Sequence, residues 1–199
     1  MSINKLIRHF EALGRIPVSM TEVIDEFRRS ILDAGLRVKG VDLPANVLRG
    51  THYRYHHGPS SDESAILPGP IAMVIYSVQQ PLGWQRLVCC KELIHVLDSP
   101  AVRTNKKSEV IQLGDKLTDK TRHFKGTADL QWFFDDLAIY QALAMLFPFS
   151  LREEIMGAYV AGKVTDEMLA EAAQIPVEYV RTVMSDGWKL LRESILLSD

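Results

Sequence analysis

The chain has 199 residues, of which 47% are hydrophobic and 24% are charged, and its formal net charge is −2. This balance is typical of a soluble globular protein with a sizeable core, and the scattered Lys and Arg residues form no basic patch of the kind that binds nucleic acid. The first ten residues lack the apolar core of a signal peptide, and no apolar run approaches about 18 residues, so we expect a cytoplasmic protein without a membrane partner.

Hydrophobic periodicity predicts helices at both ends of the chain and a small sheet between them. Apolar residues recur at helical spacing over 3–13 and from 19 to 35, and strand-like stretches follow at 36–41, 47–57 and 71–78. Further helices are expected at 87–98, 109–117, 128–147, 150–161, 166–174 and 177–197. This order predicts an α+β fold in one domain over 1–199. N-terminal helices occupy 1–35, a small sheet packs on a central helix in 36–127, and 128–199 form a helical half.

The central helix, LVCCKELIHVLD, is apolar nearly all round except for one polar stripe. Its members are Lys91, Glu92, His95 and Asp98, which fall within an arc of roughly 120° at 100° per residue. A helix that is hydrophobic on its other faces is normally buried, and burying these groups costs several kcal/mol unless they pair or bind a metal. The stripe is therefore the strongest candidate for a functional site.

Glu92 and His95 form an E-x-x-H sequence, the last four positions of the zincin motif H-E-x-x-H. In that motif two histidines one helical turn apart bind zinc, and the glutamate activates a water molecule. In this chain Lys91 stands at the position of the first histidine.

The surrounding sequence resembles the ImmA/IrrE family of zincin-like proteins. The stretch from IAMVIYSV to KELIHVLD is similar to that family's last strand and metal-binding helix, with Arg86 and Leu87 in matching places. ADLQWFFDDLAIYQALAMLFP resembles a later family helix that carries an acidic third zinc ligand, and LAEAAQIPVEYVRTVM resembles the closing element. The resemblance spans roughly residues 60–185. It implies a zincin-like fold, a zinc-dependent peptidase ancestry and a third ligand at Asp135 or Asp136.

Lysine at position 91 leaves three arrangements open, because a protonated ammonium has no lone pair for zinc. In the first, the Lys91 cation replaces the metal between Glu92 and Asp135 or Asp136, giving an ionic network without catalysis. In the second, the ligands shift to His95, Asp98 and Asp135 or Asp136, a set that suits Zn, Mn or Fe, with Glu92 as general base. In the third, burial deprotonates Lys91 and makes it a base, although nearby carboxylates oppose this.

Other histidines are weaker candidates. Strand alternation predicts that His52 and Arg54 share one face of their strand and that Tyr53 and Tyr55 share the other. A metal or substrate role for this strand competes with a simple exposed edge strand. The remaining histidines considered are His56 and His57, which follow on the same stretch, and His123, which lies in a polar segment.

Several other features predict packing. Cys89 and Cys90 are adjacent on the central helix, which makes a mutual disulfide improbable, so we expect both in the core. Trp132, Phe133 and Phe134 are also expected there. Residues 165–184 are spaced like a helix-turn-helix, with Thr165 as the N-cap residue of its first helix, but the second helix offers few base-reading side chains beyond Arg181. We therefore interpret the segment as a packing element and do not expect a nucleic-acid partner.

The resemblance thus implies a metallopeptidase-related protein of the ImmA/IrrE type, of phage or mobile-element character. If it is an active hydrolase, Glu92 is the base, and His95, Asp98 and Asp135 or Asp136 hold the ion. If hydrolysis has been lost because of Lys91, the same cleft is a recognition surface for a protein or peptide, and no cofactor is required.

Overall fold

The structure is a computed structural model that describes residues 2–31, 34–56, 70–98 and 127–197. Within these ranges it contains eight helices and one three-stranded sheet. The strands are β1 (Gly35–Val41), β2 (Gly50–His56) and β3 (Pro70–Ser77). The helices are α1 (Ile3–Leu13), α2 (Met20–Ser30), α3 (Leu82–Val96), α4 (Thr127–Leu146), α5 (Phe149–Val160), α6 (Asp166–Ala173), α7 (Val177–Met184) and α8 (Trp188–Leu197). The predicted mixture of helices with a small sheet is confirmed. The predicted helix over 109–117 lies outside the described residues.

The sheet has the order β1-β3-β2, so the last strand in sequence is the central one. β1 runs parallel to β3, with Gly35 opposite Ile71, and β2 runs antiparallel to it, with Gly50 opposite Tyr76. The central strand is also the most apolar of the three, and Ile71 and Val74 on it are fully buried.

Helix α3 is the centre of the fold. It packs against β2 and β3 of the sheet and against α2 and α4. Side chains on all its faces are buried, including Leu87, Cys90, Leu93 and Ile94. The polar stripe therefore lies in the interior, as the sequence predicts for a helix that is apolar on its other sides. The helix begins at Leu82, five residues before the predicted start, with Pro81 at the N-cap position.

Two close contacts fix the N-terminal end of α3. The buried guanidinium of Arg86 donates hydrogen bonds to the carbonyl oxygens of Val18, at 2.6 Å, and Gln174, at 3.0 Å. A Cβ atom at Gly83 would lie 2.7 Å from the backbone carbonyl carbon of Ile175, so this position requires glycine. Because of these contacts, α3 is held against both the N-terminal segment and the junction of α6 with α7.

The predicted single helix over 177–197 is wrong, because the structure divides it into α7 and α8 at residues 185–187. Ser185 has an extended backbone, and its hydroxyl donates to the Thr182 carbonyl oxygen at 2.7 Å. The buried Arg152 side chain donates to the carbonyl oxygens of Val183 and Ser185, both at 2.8 Å. These contacts satisfy carbonyl groups at the end of α7 that a continuous helix would have used internally.

Helices α6 and α7, the helix-turn-helix-like segment, pack into the core as predicted. Leu169 and Val180 are buried, and the Thr165 side chain accepts a capping hydrogen bond from the Met168 amide. Arg181 forms an ion pair with Asp166 at 2.6 Å, which joins the two helices. The long cationic side chain of α7 therefore has an acidic partner within the same segment.

No helix in the described ranges combines the length and the apolar character that crossing a membrane would demand.

Candidate functional site

The polar stripe of α3 faces two neighbouring elements, α4 and β2. Glu92 and His95 are 4% and 8% exposed, so both ionisable groups lie in the interior. Burial of this kind is costly for a charged group unless a partner of opposite charge is in contact. The partners come from Asp135 on α4 and His52 on β2.

The Lys91 ammonium lies between two carboxylates. Its Nζ atom is 2.7 Å from Asp135 Oδ1 and 3.0 Å from Glu92 Oε1. Of the two acids considered on α4, Asp135 is thus the one that reaches the stripe. Asp136 instead lines a neighbouring cavity, which it shares with Asp98.

The two ring nitrogens of His95 have different carboxylate partners. Nδ1 donates to Asp98 Oδ2 at 2.7 Å, and Nε2 donates to Asp135 Oδ1 at 3.2 Å. Because ionised carboxylates only accept hydrogen bonds, this arrangement requires a proton on both nitrogens, which is the imidazolium form. Asp98 and Asp135 consequently lie on opposite sides of the ring.

His52, which the sequence indicates only as a weaker candidate for a metal or substrate role, is a member of the same cluster. Its Nδ1 donates to Glu92 Oε2 at 2.8 Å, and its ring stacks on that of His95 with a centroid separation of 5.3 Å and an interplanar angle of 20°. His52 Nε2 is buried and has no hydrogen-bond partner within the described residues. Both oxygens of Glu92 are therefore engaged, one by Lys91 and one by His52.

Strand alternation on β2 explains how His52 reaches the cluster. His52 and Arg54 stand opposite Val74 and Ala72 of β3, which are buried in the core, so all four share the face towards α3. The Arg54 guanidinium donates to the Val96 carbonyl oxygen at 2.9 Å. On the other face, the rings of Tyr53 and Tyr55 lie 5.8 Å apart. The predicted division of the strand into two faces is confirmed.

Gly50 allows β2 to approach α3 closely. A Cβ atom at this position would lie 2.3 Å from Val88 Cγ1 and 3.2 Å from Glu92 Cγ. A contact of 2.3 Å does not occur between real carbon atoms, so a larger residue would force either the Val88 side chain or the strand to shift. The absence of a side chain at Gly50 is what brings His52 within hydrogen-bond distance of Glu92.

The sequence also singled out histidines, aromatic residues and cysteines away from this cluster. His57 and His123 lie outside the described residues. His56 ends β2, and the aromatic run Trp132, Phe133 and Phe134 lies within α4. Cys89 and Cys90 are buried as free thiols, as predicted, and burial raises the pKa of Cys89 to about 12.

The charges of the cluster stabilise each other. Burial alone would lower the pKa of Lys91, but the adjacent Glu92 and Asp135 carboxylates outweigh it and raise the pKa above its usual value. Burial likewise opposes charge on His95, yet its hydrogen bonds to Asp135 and Asp98 raise its pKa to about 9. The pKa of Asp135 and that of Glu92 are lowered, because nearby cations and histidine hydrogen bonds overcome the effect of burial. Lys91 and His95 are thus cationic at neutral pH, and the two carboxylates are anionic.

The donor set does not fit the zinc ion that the motif resemblance implies. The nitrogen at the first motif position is an ammonium, which cannot donate a lone pair. Within the described ranges no three His, Cys, Asp or Glu side chains are grouped so that they could hold a metal ion. An ion on either nitrogen of His95 would meet only one of Asp98 and Asp135, because these acids lie on opposite sides of the ring.

No protein-family model, curated protein or solved structure matches this chain. The resemblance to the ImmA/IrrE family therefore rests on sequence motifs alone. What the protein does has to be inferred from the geometry of the cluster.

Proposed function

We propose that this chain is a metallopeptidase-related protein of the ImmA/IrrE type in which a lysine stands in place of the catalytic metal. In this proposal the protein binds a protein or peptide partner and does not hydrolyse it. The observation that carries the proposal is the position of Lys91 Nζ, 3.0 Å from Glu92 and 2.7 Å from Asp135. These carboxylates correspond to the general base and the acidic ligand that the motif resemblance implies.

Electrostatics favour the lysine over a divalent ion at this position. A divalent cation about 3 Å from a protonated ammonium is repelled by roughly 10 kcal/mol at an effective dielectric constant of 20. Neutralising Lys91 would relieve the repulsion, but the carboxylates that surround it raise its pKa and keep the proton on it. The same shift argues against the alternative in which Lys91 itself is a base.

The state of Glu92 supports the loss of hydrolysis. A general base needs a free carboxylate oxygen within hydrogen-bond distance of the attacking water. Both oxygens of Glu92 already have a partner, because one forms an ion pair with Lys91 and the other accepts a hydrogen bond from His52. The residue is also only 4% exposed. A water molecule would have to displace one of these partners before Glu92 could activate it.

Metal analysis and a substitution at Lys91 test the proposal. Protein purified without chelators should contain much less than one equivalent of Zn, Mn or Fe, and should not cleave unstructured protein substrates when these metals are added. The Lys91→His variant places two histidines one turn apart beside Asp135, so we expect it to bind about one equivalent of zinc. The double variant K91H/H95A should lose that binding.

A control separates a built site from adventitious binding. Lys163 is an exposed lysine in the turn after α5, so Lys163→His adds a surface histidine outside the cluster and should not add a zinc equivalent. The proposal is overturned if the natural chain carries one equivalent of metal and metal-dependent hydrolysis. Failure of a correctly folded K91H variant to bind zinc would show that α3 is not aligned with the zincin helix.

A further inference from the structure

The face of the sheet that points away from α3 carries basic and aromatic side chains. Residues on a strand alternate between the two faces, so those that alternate with the core-facing residues belong to this second face. We call it the outer sheet face, and the members used below are Arg37, Lys39, Tyr53, Tyr55, Met73 and Ile75. None of the three strands contains Asp or Glu, so the strands themselves place no negative charge on this face.

The strand register places the cations of β1 in line with a tyrosine of β2. Arg37 is opposite Met73 on one side of β3, and Tyr53 is opposite Met73 on the other side. In the next row of the same face, Lys39 is opposite Ile75. Neighbouring strands lie about 4.8 Å apart and residues rise by about 3.3 Å along a strand, so the Cα atoms of Arg37 and Lys39 lie about 10 and 12 Å from that of Tyr53.

These side chains are accessible. Tyr53 is 41% exposed, and Arg37 and Lys39 are exposed as well. Neither cation forms an ion pair with any residue that the structure describes. The Tyr53 ring lies against that of Tyr55, with the centroids 5.8 Å apart. This contact restricts the Tyr53 side chain, so a ligand that stacks on the ring has less side-chain freedom to remove.

We infer that the outer sheet face binds single-stranded nucleic acid. Arg37 and Lys39 contact the phosphates, an unpaired base stacks on Tyr53, and the partly exposed Met73 lies under the strand between them. Surfaces that bind single strands combine positive charge along the backbone with aromatic rings for the bases. A duplex fits less well, because its bases are already stacked on one another.

The sequence predicts no nucleic-acid partner, because its Lys and Arg residues are scattered and the helix-turn-helix-like segment has few base-reading side chains. The pairing of β1 and β2 with β3 brings two of those cations to an exposed ring, which the order of residues does not show. The ion-pair cluster lies on the opposite face of β2, so the inference does not depend on the proposed loss of catalysis.

Fluorescence anisotropy of the full chain with a short labelled oligothymidylate tests the inference. Two phosphate contacts predict a slope of about −1.4 in a plot of log affinity against log salt concentration, because each contact on a single strand contributes about −0.7. The same strand annealed to oligoadenylate should bind at least about tenfold more weakly, because its bases cannot stack on Tyr53. Absence of binding at low salt, or equal binding of the duplex, would overturn the inference. Equal binding of polyglutamate would assign the face to acidic proteins and would overturn it too.

Variants of exposed residues locate the binding. Tyr53→Leu should weaken oligothymidylate binding by about tenfold and leave the salt slope unchanged, whereas Tyr53→Trp should retain the affinity. The double variant R37Q/K39Q should remove most of the salt slope. K5Q/R8Q is the matched control, since it removes one exposed lysine and one exposed arginine from α1. Equal effects of the two double variants, or full affinity of a folded Y53L variant, would contradict the assignment.

Discussion

Replacing Lys91 by methionine is expected to lower the free energy of unfolding by about 2–4 kcal/mol. The substitution keeps most of the aliphatic side chain and removes only the ammonium. Lys91 and His95 are the cations that face Glu92, Asp135 and Asp98, so loss of the Lys91 ammonium leaves the Glu92 and Asp135 carboxylates with less positive charge beside them. Removing one partner of a buried ion pair costs about 3–5 kcal/mol. The lower figure applies here because Asp135 is 37% exposed and both carboxylates keep a histidine partner.

Urea unfolding at pH 7, followed by circular dichroism, measures this change as a shift in the midpoint at constant slope. The double variant K91M/D135N removes both charges, so it should be more stable than the sum of the single variants predicts, with a coupling of about 1–3 kcal/mol. Arg181→Met is the control, because Arg181 is 76% exposed in its pair with Asp166, and removing an exposed ion pair should shift the midpoint very little. The reasoning is refuted if K91M costs no more than R181M, or if the Lys91 and Asp135 substitutions are additive.

Three further predictions concern other parts of the site. The pKa of His95 is about 9 in the folded protein, which is above its value in the unfolded chain. The stability that comes from protonated His95 is therefore complete below about pH 6.5 and is lost as the pH rises towards 9. Unfolding midpoints from pH 6 to 9.5 should show this decline, and a His95→Gln variant that shows the same decline would contradict it. Gly50→Ala should destabilise the protein by about 1–3 kcal/mol, because its Cβ atom would overlap Val88. Gly157→Ala is the control and should be neutral or stabilising, because Gly157 lies in a helix with open space around it. Equal unfolding midpoints for the two variants would disprove the close approach of β2 to α3. Cys89 and Cys90 are buried thiols with raised pKa values, so neither should react with a disulfide reagent until the protein unfolds, and rapid labelling of the native protein would refute their placement.

The central part of the site could be predicted from the sequence because it lies on one helix. Positions 91, 92 and 95 share a face whatever the rest of the chain does, and their polarity contrasts with the apolar residues around them. The identity of the acid on α4 could not be decided in this way. Asp135 and Asp136 point about 100° apart on the helix, and only the packing of α4 on α3 selects Asp135.

The place of His52 in the cluster could not be predicted, because it depends on contacts between segments that are distant in sequence. Its alternation with Tyr53 was readable, but the sequence did not show which face of β2 meets α3. The informative signal was Gly50, since a glycine at the start of a strand often marks a close backbone approach. The break between α7 and α8 was missed for a similar reason, because it is stabilised by Arg152, which lies about thirty residues earlier in the chain.

The anchoring of Arg86 has a consequence for how the chain assembles. Its two carbonyl acceptors lie 68 and 88 residues away in sequence, one on each side of the sheet and α3 in chain order. The guanidinium has both acceptors only when the segments around Val18 and Gln174 are docked on α3, so this anchor adds contacts of high sequence separation, which slow folding. During synthesis, Arg86 lacks its second acceptor until residue 174 has left the ribosome. Fragments that end before residue 174 should therefore be less stable than the full chain.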